Sequence, residues 1–171
     1  MGEETTLDLI KHATCPVIAV VPRTTAPPTR VLVALDFSAA SVEAAQFAAA
    51  IAAVGARFTL AYVPSLAYAV QNEGETLIHQ LGVASAFSMV ASALGRNDLQ
   101  VDHVVLNHVK PASPAAILLA YAEEMRCDLI AAGSARHSHM EQWLLGSVST
   151  ELVRDARHSM LVIARGSEPA A

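Results

Sequence analysis

Aromatic side chains are scarce in this sequence, at 5% of residues, and charged ones amount to 16%, well under the roughly one quarter usual for soluble domains. What remains is aliphatic: 53% of the residues are hydrophobic, and Ala, Val, Leu and Ile dominate them. The charge deficit points to apolar surface that a partner covers. Runs of Lys and Arg are absent and the formal net charge is −5. Both facts exclude a nucleic-acid-binding surface, which needs clustered cations to displace counterions. The two cysteines, Cys15 and Cys127, form no CxxC pair and read as reduced, buried thiols of a cytoplasmic protein. No apolar run reaches the roughly 18 residues of a membrane span; the nearest is FAAAIAAVGA at 47–56. The opening MGEETT has neither the basic nor the apolar region of a secretory signal. It matches the bare myristoylation pattern through Gly2 and Thr6, but Glu3 and Glu4 oppose membrane docking, so an ordinary start is expected.

At 171 residues the chain can bury one full core. From residue 30 onward, short β-rich runs alternate with longer helical patterns. RVLVALD (30–36), RFTLAYV (57–63), LQVDHVVLN (99–107), DLIAAG (128–133) and SMLVIA (159–164) read as strands. Between the first two, Ser38 or Ser41 is placed to cap a helix in which Ala44, Phe47, Ile51 and Val54 recur at helical spacing, with Gly55 ending it. A long helix is expected over 73–95. Ser113-Pro114 opens another that runs to about Cys127, and Ser147 begins the last. Near-continuous apolar strands alternating with helices imply an α/β fold: an open, five-stranded parallel sheet, doubly wound as a three-layer sandwich. Ligands of such sheets bind beyond the carboxyl ends of the strands, where strand order reverses. Asp36, Val63 and Gly133 stand at those ends.

The first residues fall outside this alternation. LIKHATCPVIAVV (9–21) aligns without gaps to LVRDARHSMLVIA (152–164) at an offset of 143 positions (152 minus 9). An offset near one domain length implies that residues 1–22 form a helix–strand extension equivalent to the tail of a preceding copy. Residues 23–29 are then a linker stiffened by Pro27-Pro28, 30–165 the domain, and 166–171 a disordered tail.

VLVALDFS near the first strand, DLIAAGS at the fourth and GSVS after the following loop make residues 30–164 resemble the universal stress protein family. The family's nucleotide motif is Gly, two residues, Gly, nine residues, then Gly-Ser/Thr. Gly133, Arg136 and Gly146-Ser147 reproduce that spacing, with arginine in place of the second glycine. The resemblance implies an adenine nucleotide such as ATP, with Mg²⁺ accompanying it. Asp36 would contact the ribose, Ala34 and Val63 would wall the adenine, and Gly133, Gly146, Ser147, Val148 and Ser149 would cradle the phosphates. The physics of those groups agrees: a carboxylate accepts two hydroxyl bonds, and a helix N-terminus offers unpaired N–H groups to an anion. Arg136 and His139 replace the flexible middle of the loop, because a phosphate nest often needs a positive φ that glycine adopts freely. Arg136 has a guanidinium with which to reach a phosphate instead.

Two readings stay open: a regulatory module of the stress response with weak or altered adenine-nucleotide binding, or an interaction and dimerisation module whose pocket is vestigial. A slow ATPase is disfavoured because no base or Walker-type lysine is visible, so no enzymatic activity is expected. The His137-x-His139 pair, without a supporting carboxylate or cysteine, reads as a solvated loop and not as a metal site. His103 and His108 read the same way, Trp143 as an apolar anchor, and Tyr121 and the methionines as packing. The edge strand 159–164 is expected to pair with residues 16–21 of the same chain or with a second copy in a homodimer.

Overall fold

The computed structural model describes residues 3–13, 15–22, 24–64, 73–107, 112–134, 146–155 and 157–164. The elements are α1 (Glu3–His12), β1 (Val17–Ala19), β2 (Arg30–Leu35), α2 (Ala39–Ile51), β3 (Arg57–Tyr62), α3 (Glu73–Ala93), β4 (Gln100–Val105), α4 (Pro114–Glu124), β5 (Leu129–Ser134), α5 (Ser147–Asp155) and β6 (Ser159–Ala164). They build one six-stranded sheet in the order β1-β6-β5-β2-β3-β4. β2 to β6 are parallel, as expected from their apolar runs. The N-terminal extension supplies the sixth strand: β1 lies antiparallel on the edge of β6, with Ile18 opposite Leu161. Of the two pairings expected for that edge, the chain makes the one in cis.

Strand alternation divides the core in two. Val31, Val33, Phe58, Leu60, Leu129, Ala131 and Leu161 face α2 and α3. Leu32, Ala61, Ile130, Ala132, Met160 and Val162 face α4, α5 and Ile10 of α1. Successive side chains of a strand point to opposite faces, so both faces must be covered for such runs to be stable. No helix among the described residues is long and apolar enough to cross a membrane.

The buried face of α2 differs from expectation. Ala40, Ser41, Ala44, Ala45, Ala48 and Ala49 form it, whereas Phe47 is 41% exposed and Val54 is 87% exposed beyond the helix end. Small side chains let the helix axis approach the sheet closely, and the larger ones are turned outward. Nor does Gly55 end this helix. Ala52 is the C-cap, and Gly55 takes its positive φ of 73° in the turn that follows. Cys127 is buried, but Cys15 is exposed on the turn between α1 and β1. Among the methionines, Met160 is buried and Met89 is 67% exposed on α3.

Arg96 closes the carboxyl end of α2. Its guanidinium donates to the carbonyls of Ala49 (2.7 Å), Ala52 (2.9 Å) and Ala53 (3.4 Å) and pairs with Asp98. Helix ends leave such carbonyls without intrahelical partners. The Arg96 bond, joined by the Gly55 N–H, holds the Asp98 carboxyl down at about 2. A carboxyl whose folded value lies below its unfolded one stabilises the fold above the unfolded value and stops doing so as pH falls through the folded value. The Arg96–Asp98 contribution is therefore expected to fade between about pH 4 and pH 2. Acid titration of thermal unfolding should show a shallower loss over that window in Asp98→Asn than in the parent chain.

Candidate functional site

Three elements of sequence place a cleft at the carboxyl end of the sheet. First, Ala34 of β2 stands between Ala61 of β3 and Ala132 of β5. This row of methyl groups leaves room between the sheet and helices α4 and α5. Second, strand order reverses between β2 and β5, where the connections diverge to opposite sides. Third, α2, α4 and α5 all begin at this end. The resulting cleft has a volume of about 290 Å³, near the lower limit of small-molecule sites.

Of the residues expected to form a site, Ala34, Asp36, Val63, Gly133, Gly146, Val148 and Ser149 line this cleft. Ser147 is exposed at the first turn of α5, beside it. Arg136, His137, His139 and Trp143 lie outside the described residues, as does His108. His103 lies within β4, its ring 4.8 Å from that of Phe87. Among the described residues no group of His, Cys, Asp or Glu could hold a metal ion. The lining also includes Tyr62, Pro114, Leu118 and Ser134, which sequence reasoning did not single out. Pro114 and Leu118 belong to a helix start that the sequence shows, but only the fold brings α4 over the ends of β2 and β5.

Asp36 is held by its own turn. Its Oδ1 accepts the Ser38 N–H at 2.9 Å, and Ser38 in turn caps α2, its hydroxyl accepting from the Ser41 N–H. Partial burial pushes the Asp36 carboxyl up, but hydrogen bonds from Ser38 and Ser41 outweigh this and hold it below the usual value. It is an ionised acceptor at neutral pH. Between Asp36 and Ser38, Phe37 takes a φ of 60°, a left-handed conformation that costs an aromatic residue energy. Its ring offsets that cost by packing on Tyr62 (5.0 Å between centroids) and edge-on to Phe87 (5.3 Å).

The two glycines of the loop motif are not used for positive φ; among described glycines only Gly55 and Gly95 have it. Gly133 is a packing requirement. A Cβ there would lie 2.2 Å from the Ala40 carbonyl carbon and the Ser41 nitrogen, so α2 can start where it does only over glycine. Gly146 has no such neighbour: its Cβ would meet only the Ser134 hydroxyl, at 3.8 Å. Two cradle groups are turned inward. The Gly146 N–H donates to the Ser134 hydroxyl at 2.9 Å, and the Ser149 hydroxyl donates to the Gly133 carbonyl at 3.1 Å. These bonds fasten the start of α5 to the end of β5.

The universal stress protein family profile matches residues 28–164. The chain belongs to that family. No curated protein matches the sequence significantly, but solved structures do. The universal stress protein domain found here is similar to hypothetical protein MJ0577, with a TM-score of 0.64, 19% identity, and coverage of 82% of this chain and 98% of that one. It is similar to a universal stress protein in complex with cAMP (TM-score 0.52, 26% identity, 81% and 98% covered). It also matches a universal stress protein from Archaeoglobus fulgidus DSM 4304 (TM-score 0.59, 22% identity), where 97% of this chain corresponds to 58% of the other.

Proposed function

We propose that this universal stress protein domain is a regulatory module of the stress response that binds an adenine nucleotide in the cleft at the carboxyl end of β2, β3 and β5, acting by binding and not by turnover. The observation that carries the reading is the cleft itself. An apolar wall of Ala34, Val63 and Val148 faces an ionised Asp36, with the starts of α4 and α5 beside them. A flat base fits the wall, ribose hydroxyls fit the carboxylate, and helix N-termini favour a phosphate. The similar structure that holds cAMP supports a compact adenine nucleotide as ligand. Mg²⁺, if it takes part, would arrive with the phosphates of the nucleotide.

A second reading, an interaction module without nucleotide, draws on one observation. The Gly146 N–H and the Ser149 hydroxyl are already engaged within the protein, which thins the phosphate cradle. Calorimetric titration of nucleotide-free protein separates the two. We expect AMP or cAMP to bind about as well as ATP with Mg²⁺, because two donors of the phosphate cradle, the Gly146 N–H and the Ser149 hydroxyl, are engaged within the protein. Asp36→Asn keeps an acceptor for the Ser38 N–H but removes the charge. It is expected to weaken binding about tenfold or more, the worth of a charged hydrogen bond. Absence of heat with every nucleotide at millimolar concentration would leave the interaction module as the function.

Residues 1–22 belong to the same proposal, as the closing helix and strand of a preceding domain copy. The boundaries of α1 and β1 support it. With the offset of 143, α1 ends where α5 ends (His12 and Asp155), and β1 falls within β6.

A further inference from the structure

The N-terminal pair not only repeats α5 and β6 but docks against them symmetrically. Val17 lies opposite Val162, Ile18 opposite Leu161 and Ala19 opposite Met160. Moved back by the repeat offset, the β6 partners become Ala19, Ile18 and Val17, so exchanging the two strands leaves the pairing unchanged. Ile18 thus meets its own counterpart on a local two-fold axis, and α1 packs on α5 across it.

Burial breaks this symmetry. Leu152 and Leu161 are 0% exposed and Ile163 is 4% exposed. Their counterparts Leu9, Ile18 and Val20 are 52%, 43% and 57% exposed. Within the domain, Leu161 and Ile163 lie in the cluster that contains the alanine face of α2, and Leu152 in the cluster that contains α4. The N-terminal pair has the same apolar pattern without the same cover. Ile18 and Val20 instead line a groove of about 530 Å³ together with Pro27, Pro28 and Ile51.

We infer that the groove and the outer side of α1 and β1 are the docking face for a second α/β body of this architecture, one that has no closing helix and strand of its own and is completed by residues 3–21. The inference rests on the reading of these residues as a repeat tail, and it specifies the chemistry that fits them. An alanine-faced helix like α2 covers Ile18 and Val20. A strand like β5 runs parallel along the free edge of β1, satisfying its outward backbone groups. A helix like α4 covers Leu9. The longer Archaeoglobus fulgidus structure has the required size. Its match takes in β1 and most of α1, and since 97% of 171 residues is 58% of that chain, about 120 of its residues lie outside. Residues 30–146 here, the whole domain before α5, number 117.

The test joins a copy of residues 30–146 directly ahead of Glu4, which preserves the repeat spacing, in a background of Cys15→Ser and Val20→Cys. Thiol labelling at position 20 is then compared with that of the same double variant of the 171-residue chain. Labelling is expected to slow by about tenfold or more as the site becomes buried. Unchanged labelling while the added segment unfolds as a cooperative second unit would overturn the docking face and leave the repeat reading standing. An added segment that stays unstructured beside an intact domain would overturn the repeat reading itself. The chain alone gives a second measurement. Ile18→Ser with Val20→Ser is expected to shift Tm by less than about 3 °C, against a fall of about 10 °C or more for Leu161→Ser. Equal losses would mean that the chain already covers its own β1, and the docking face would be wrong.

Discussion

Gly133→Ala is expected to destabilise the domain by about 3 kcal/mol and to weaken whatever the cleft binds. The added methyl would lie 2.2 Å from two backbone atoms of α2, the Ala40 carbonyl carbon and the Ser41 nitrogen. Backbone cannot rotate away as a flexible side chain can, so the first turn of α2 must move, and overpacking of this kind costs about 1–3 kcal/mol and occasionally more. That turn is capped by Ser38, whose N–H also fixes Asp36, so the displacement reaches the carboxylate at the rim of the cleft. Chemical denaturation checks the stability loss, and Gly146→Ala is the control, since its methyl meets nothing closer than 3.8 Å. Equal behaviour of the two variants would show that Gly133 is not held by packing.

Phe58→Ala should produce a loss of similar or larger size, about 3–5 kcal/mol, or a fall in Tm of about 10 °C or more. Phe58 lies in β3 with 0% exposure and has the largest fully buried side chain among the described residues. It packs in the cluster that joins α2 and α3 to the sheet. The alanines of α2 in that cluster are too small to close the cavity its removal leaves. Thermal unfolding of Phe58→Ala beside Phe58→Leu separates lost volume from lost ring shape. A drop below about 1 kcal/mol for the alanine variant would mean that the core collapses around the gap.

The alternation of strands and helices was legible because each parallel strand is an apolar run covered on both faces, and each helix is too long to be mistaken for one. β6 matches the expected 159–164 throughout, and Asp36 and Val63 directly follow their strands. That Ala34, Asp36, Val63 and Gly133 lie beside one another was legible for the same reason, since a parallel sheet brings all its carboxyl ends to one edge, whereas the part of the lining that α4 supplies was not. The face of α2 was misread because periodicity counts large apolar residues, while close helix–sheet approach selects small ones. Gly133 was read only as part of a phosphate cradle, whereas glycine at that position is also a matter of space that only the neighbouring helix reveals.

The sequence by itself determined the order and type of the elements, the edge of the sheet where the cleft lies, and the matching apolar pattern of residues 9–21 and 152–164. Those features follow from local patterning and from the geometry of parallel strands. Only the tertiary structure decided that Ser134 takes the Gly146 N–H, that Phe37 bends backward to anchor on Tyr62, and that Ile18 faces Leu161 on a local two-fold axis. Each of these depends on which distant segments become neighbours, and spacing along a single chain does not encode a distance between two of its parts.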